Sequence, residues 1–120
     1  MLLAHGLLVL AMDGSRMQLL RNHGTEAKPE REVIATEHHS HHGNGSHDKQ
    51  EQKFAAEALA RLSRADPKAP LVLIAPPRML GHLRAAASGG LERRIVASFH
   101  HDHAQESPAQ ICHFLINEKL

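Results

Sequence analysis

The chain has 120 residues, 42% of them hydrophobic, enough for one core and hence one domain spanning residues 1–120. Its 14 basic and 13 acidic residues leave a net charge of +1 with histidine neutral, which gives no bulk attraction to nucleic acid or to a membrane surface. Tryptophan and tyrosine are absent and only Phe54, Phe99 and Phe114 are aromatic, which argues against a base-stacking platform.

The opening stretch Met1 to Met12 is apolar but has no basic leader. It also falls well short of the roughly 20 apolar residues a membrane span needs. It reads as a buried strand over Leu7 to Met12, in a cytoplasmic protein with no membrane partner. Asp13-Gly14 predicts a two-residue hairpin with positive φ at both central positions. Arg16 to Arg21 partly alternates and predicts a half-exposed partner strand, closed by Asn22-His23-Gly24. Glu32 to Glu37 predicts a third strand. Residues 38–47, His-His-Ser-His-His-Gly-Asn-Gly-Ser-His, are polar and low in complexity and read as a flexible loop.

Asp48 three residues before Glu51 resembles a capping box opening a helix. That helix carries Phe54, Ala58, Leu59 and Leu62 on one face and ends near Asp66-Pro67. Leu71 to Ala75 is an unbroken apolar run and predicts a strand buried on both faces. Pro77 suits the first turn of a following helix, where a missing N–H costs nothing. Leu80, Leu83 and Ala87 supply its apolar stripe, and Ser88-Gly89-Gly90 breaks it. Arg94 to Phe99 predicts a last strand. Ser107-Pro108-Ala109-Gln110 caps a final helix with Ile111, Phe114 and Leu115 facing inward. The order β-β-β-α-β-α-β-α predicts an α/β fold, a mixed five-stranded sheet covered by helices.

Four segments together carry a resemblance. They are Val9 to Arg16 (VLAMDGSR), Phe54 to Leu62 (FAAEALARL), Leu71 to Leu83 (LVLIAPPRMLGHL) and Ile95 to Pro108 with the final helix. In this order they resemble the bacterial host attachment protein family, proteins described as required for attachment to host cells. That family is similar to the middle domain of archaeal and eukaryotic peptide-chain release factors. The resemblance therefore implies a ribonuclease-H-like fold. Release factors carry a Gly-Gly-Gln loop, whereas this chain has Gly89-Gly90-Leu91, so peptide release is not implied. The family's longer insert after the third strand, and its charged residues after the last, are replaced here by the histidine-rich loop and by His100-His101-Asp102-His103.

Two constellations stand out among the residues themselves. The first is the 12 histidines. His39 and His41 lie in the loop, and His101 and His103 alternate after the last predicted strand, where they would share a face near Arg78. Imidazole is the commonest ligand for zinc and related transition metals, so these four are candidate metal ligands. The second is Arg78, Arg84, Arg93 and Arg94, a candidate patch for nucleic-acid phosphates or another anion. Asp13 belongs to a turn dipeptide, and no second carboxylate converges on it for a two-metal nuclease. Cys112 stands alone, which excludes an internal disulfide, suits a reducing compartment, and reads as a packed thiol. No catalytic residue is assigned. The leading expectation is a non-catalytic module that binds RNA, the ribosome or another protein. The alternative is a metal-binding or metal-responsive protein without an obligatory cofactor, and the third and least favoured reading is a metal-dependent nuclease centred on Asp13.

Overall fold

A computed structural model of the protein describes residues 1–38 and 47–118. The strands are β1 (Leu8–Met12), β2 (Arg16–Asn22), β3 (Arg31–His38), β4 (Leu71–Ile74) and β5 (Ile95–Phe99). The helices are α1 (His47–Ala65), α2 (Pro77–Ala86), the one-turn α3 (Leu91–Arg94) and α4 (Pro108–Asn117). One mixed sheet runs β3-β2-β1-β4-β5, with β2 antiparallel to β1 and β3, and β1, β4 and β5 parallel. The fold is thus a single mixed α/β domain. The predicted element order lacked α3, a short turn that no periodic pattern announces.

Strand alternation sorts the core into two layers. Leu8, Leu10 and Met12 of β1, with Leu71 and Leu73 of β4, pack under α1 and α2 against Phe54, Leu59, Leu62 and Leu83. Val9 and Ala11, with Val72 and Ile74, face the other way onto Ile111 and Leu115 of α4. Side chains two apart on a strand share a face, so every residue of the central strands meets apolar neighbours. That double burial is why β4 reads as a continuous hydrophobic run. No helix among the described residues is long and apolar enough to cross a membrane.

Three local expectations are corrected. Among the described residues positive φ occurs at Gly6 and Gly89, so neither Asp13 nor Gly14 of the hairpin after β1 is in the left-handed region. The turn is held by the Asp13 carboxylate instead. Its Oδ1 accepts the N–H of Ser15 at 2.8 Å and of Arg16 at 2.7 Å, an Asx-type closure that needs no mirror-image turn. Second, β2 is buried rather than half-exposed, because it is an interior strand of the sheet. Its polar residues anchor loops. Gln18 Nε2 donates to the carbonyls of Ala104 and Glu106 at 2.8 and 2.6 Å, and Asn22 Nδ2 to that of Leu3 at 2.6 Å. Third, His38 belongs to β3 and His47 to α1 rather than to the segment between them. The rest of the expected flexible loop, including His39 and His41, lies outside the described residues.

The helix signals behave as their chemistry predicts. Pro77 is the first residue of α2, and α4 opens with a reciprocal capping box in which Ser107 and Gln110 satisfy each other's backbone N–H.

Candidate functional site

α1 and α2 lie side by side on one face of the sheet. Residues three or four apart on a helix share a face. Asp48 and Glu51 therefore stand together on the first turns of α1, and Arg78 and His82 on α2. The two pairs meet. Arg78 Nη2 donates to Asp48 Oδ1 at 3.0 Å, and Arg78 Nε lies 3.2 Å from Glu51 Oε2. His82 Nε2 lies 3.3 Å from the same Asp48 oxygen and 3.6 Å from the same Glu51 oxygen. Neither contact has hydrogen-bond alignment, so this shielded nitrogen has no hydrogen-bond partner. An unsatisfied buried polar atom costs about 1–3 kcal/mol.

The surroundings hold the carboxylates in place. Asp48 Oδ2 accepts from Gln52 Nε2 at 2.9 Å. The N-terminal end of α1 favours negative charge in its first turn. Glu51 is backed by the hairpin loop: a Cβ on Gly14 would sit 2.9 Å from Glu51 Oε1. A side chain at 14 would meet no backbone barrier but would push the Glu51 carboxylate aside.

Asp48, Glu51 and His82 each offer one ligand atom, and the three atoms lie within 4.8 Å of one another. Bonds of about 2.1 Å to zinc-sized ions give a tetrahedral edge of roughly 3.4 Å. The two imidazole–carboxylate separations, 3.3 and 3.6 Å, bracket that edge. Two carboxylates and an imidazole suit a borderline divalent ion such as manganese or zinc.

The sequence-derived candidates fare differently. Arg78 is in the cluster, engaged by two carboxylates. Arg94 is engaged elsewhere: its Nε donates to Ala69 O at 2.8 Å and its Nη2 to Asp66 O at 2.6 Å. Arg84 reaches Ser98 Oγ at 2.6 Å, and Arg93 is exposed on α3. The four do not face one partner, because Arg78 turns toward α1 at the end of β4 while Arg94 serves the loop that precedes it.

His101 and His103 do approach each other, with ring centroids 5.9 Å apart, but on a loop after β5 and not on a continuing strand. Both rest on Phe114 of α4, at 5.3 and 4.2 Å. His103 Nδ1 is held by Glu106 Oε1 at 2.7 Å. They rest on the α4 side of the sheet, while Arg78 stands on α2 on the other side and turns to Asp48 of α1. An open cleft of about 470 Å³ beside them is bordered by Arg16, Gln18, Glu37 and Glu106, and both of these carboxylates are already paired, Glu37 with Arg61 and Glu106 with His103.

Asp13 serves its turn through Oδ1, as its dipeptide suggested. Cys112 is a free, half-buried thiol whose pKa burial pushes upward, as a packed thiol requires. The sequence suggests only a capping role for Asp48 and Glu51 and none for His82. The available signal was spacing: a D-x-x-E pair and an R-x-x-x-H pair, each on one helical face.

The profile described as "protein required for attachment to host cells" matches residues 32–115, from β3 into α4. No curated protein matches the chain. The match covers well over half of the sequence and includes both helices of the acid–histidine cluster, and the chain belongs to the family of proteins required for attachment to host cells.

Proposed function

We propose that this protein is a binding module and not an enzyme, and that its ligand is a divalent metal ion held by Asp48, Glu51 and His82. The observation that carries this reading is the convergence of three ligand atoms of the right kinds within 4.8 Å, one of them a shielded nitrogen without a hydrogen-bond partner. The metal-responsive reading thereby moves from the histidine clusters to the α1–α2 interface. The sheet order, with only β2 reversed, supports a ribonuclease-H-like arrangement and a likeness to release-factor middle domains. Nuclease chemistry is not part of the proposal, because Asp13 Oδ1 is already spent on two backbone N–H groups. An RNA- or ribosome-binding role rests on Arg84 and Arg93 once Arg78 and Arg94 are engaged internally, and two separated arginines make a weak phosphate footprint. A metal-responsive module would influence attachment indirectly, through whatever partner it meets when loaded.

Mn²⁺ tests this, because its electron paramagnetic resonance signal reports the free ion and because it favours oxygen ligands over histidine-rich segments. One ion per chain is expected, lost in both Glu51→Gln and His82→Gln. Binding that survives both substitutions would sink the assignment.

A further inference from the structure

We infer that Arg78 is the resident counter-ion of this cluster and that a metal ion enters only by displacing it. The inference rests on the metal assignment above and adds how the site is regulated. The oxygens concerned are the same ones. Asp48 Oδ1 faces both Arg78 Nη2, at 3.0 Å, and His82 Nε2, at 3.3 Å. Glu51 Oε2 faces both Arg78 Nε, at 3.2 Å, and His82 Nε2, at 3.6 Å. A metal bridging the imidazole to these two oxygens would occupy the space the guanidinium fork now spans.

Charge supports the exchange. Two carboxylates and one guanidinium leave the cluster at a formal −1, and adding a divalent ion beside a retained guanidinium would crowd three positive charges against two negative ones. Replacing Arg78 by the ion gives neutrality. Release is also sterically open, because the Arg78 side chain is 60% exposed, whereas those of Glu51 and His82 are 17% and 14% exposed. The arginine is the most exposed of the four, Asp48 is 48% exposed, and Glu51 and His82 are the two ligands held by their burial. The exchange has a cost, since the apparent affinity falls by the fraction of molecules in which the site is free. It also has an output: a loaded protein presents an unpaired guanidinium at the start of α2, and an unloaded one does not.

The test is Mn²⁺ affinity in the full-length chain, by the same resonance titration, for wild type, Arg78→Gln and Arg78→Lys. Removing the competitor in Arg78→Gln is expected to tighten binding at least about tenfold. The ammonium introduced by Arg78→Lys cannot bridge both carboxylates as a fork does, and its effect should fall between. Circular dichroism confirms that each variant is folded. In parallel, the Arg78 Nε–H resonance, assigned by its loss in Arg78→Lys, should shift as diamagnetic Zn²⁺ is titrated into the metal-free wild type, and a resonance that stays in place at saturation would overturn the exchange. Unchanged or weaker Mn²⁺ binding in Arg78→Gln would overturn the exchange while leaving the metal site standing. No binding by wild type or by either variant would overturn both.

Discussion

Arg94→Ala isolates a structural use of an arginine that composition alone offers as a nucleic-acid contact. Arg94 ends α3 and reaches back across the loop between α1 and β4, donating to Asp66 O at 2.6 Å and Ala69 O at 2.8 Å. These bonds pin the entry to β4, whose first residue, Leu71, pairs with Ile95 immediately after Arg94. A hydrogen bond to a charged group contributes about 1.5–3 kcal/mol, and the lower end applies here because Arg94 is only partly buried and water can reach the carbonyls. Two such bonds, less the water that replaces them, predict a loss of about 2 kcal/mol. For a domain of this size that corresponds to a fall in Tm of roughly 8 °C. The assay is urea unfolding followed by far-ultraviolet circular dichroism, since a chain without tryptophan or tyrosine has no useful intrinsic fluorescence. The control is Arg93→Ala, one residue away and exposed, which should change stability by no more than about 0.5 kcal/mol. Equal effects from the two substitutions would refute the reasoning.

Leu73→Ala opens a hole in β4, where the side chain is 0% exposed under α1 and α2, and should cost about 3–5 kcal/mol by chemical denaturation. Gly81→Ala, on the exposed side of α2 with open space where the Cβ would go, should stabilise the protein by about 0.5–1 kcal/mol in the same assay. The N–H of Lys68 lowers the Asp66 pKa most; burial opposes this, and the N–H of Ala69 and the charges of Arg21 and Arg94 add to it. A depressed folded-state pKa contributes stability above the unfolded value of 3.8 that is lost as pH falls through the lower folded value. Asp66→Asn should therefore lower Tm at neutral pH, and the gap from wild type should close in acid. A gap that holds constant down to about pH 2 would refute this linkage.

The central strands were legible because their burial leaves a plain trace. Leu71 to Ile74 has no polar residue to interrupt it, and both faces of β4 are covered. The Ser107 capping box was legible because it is a local device whose partners lie three residues apart. What was lost depended on tertiary neighbours. Asp48-x-x-Glu51 has the spacing of a capping box and also the spacing of two carboxylates on one helical face, and sequence does not choose between them. The structure chooses the second, since α1 begins one residue earlier at His47 and α2 brings Arg78 and His82 alongside. His82 drew no notice because the clusters at 38–47 and 100–103 dominate the histidine pattern. Gln18 belongs to the alternation that suggests a half-exposed β2, and Asn22 to the segment that suggests its end, when each is a buried amide of β2 holding a loop.

The two-layer core has a consequence for how β1 encodes its own placement. With apolar neighbours on both sides, polarity carries no information about which way a residue points, and a slip of one position would leave the hydropathy profile unchanged. The information lies in size. The larger residues Leu8, Leu10 and Met12 face the paired helices α1 and α2, and the smaller Val9 and Ala11 face α4. An exchange such as Ala11→Leu keeps the strand as apolar as before but forces bulk against Ile111 and Leu115, an overpacking that costs about 1–3 kcal/mol. Tolerance at this strand is therefore governed by volume, and a sequence drifting only among aliphatic residues can lose the register while its hydrophobicity stays intact.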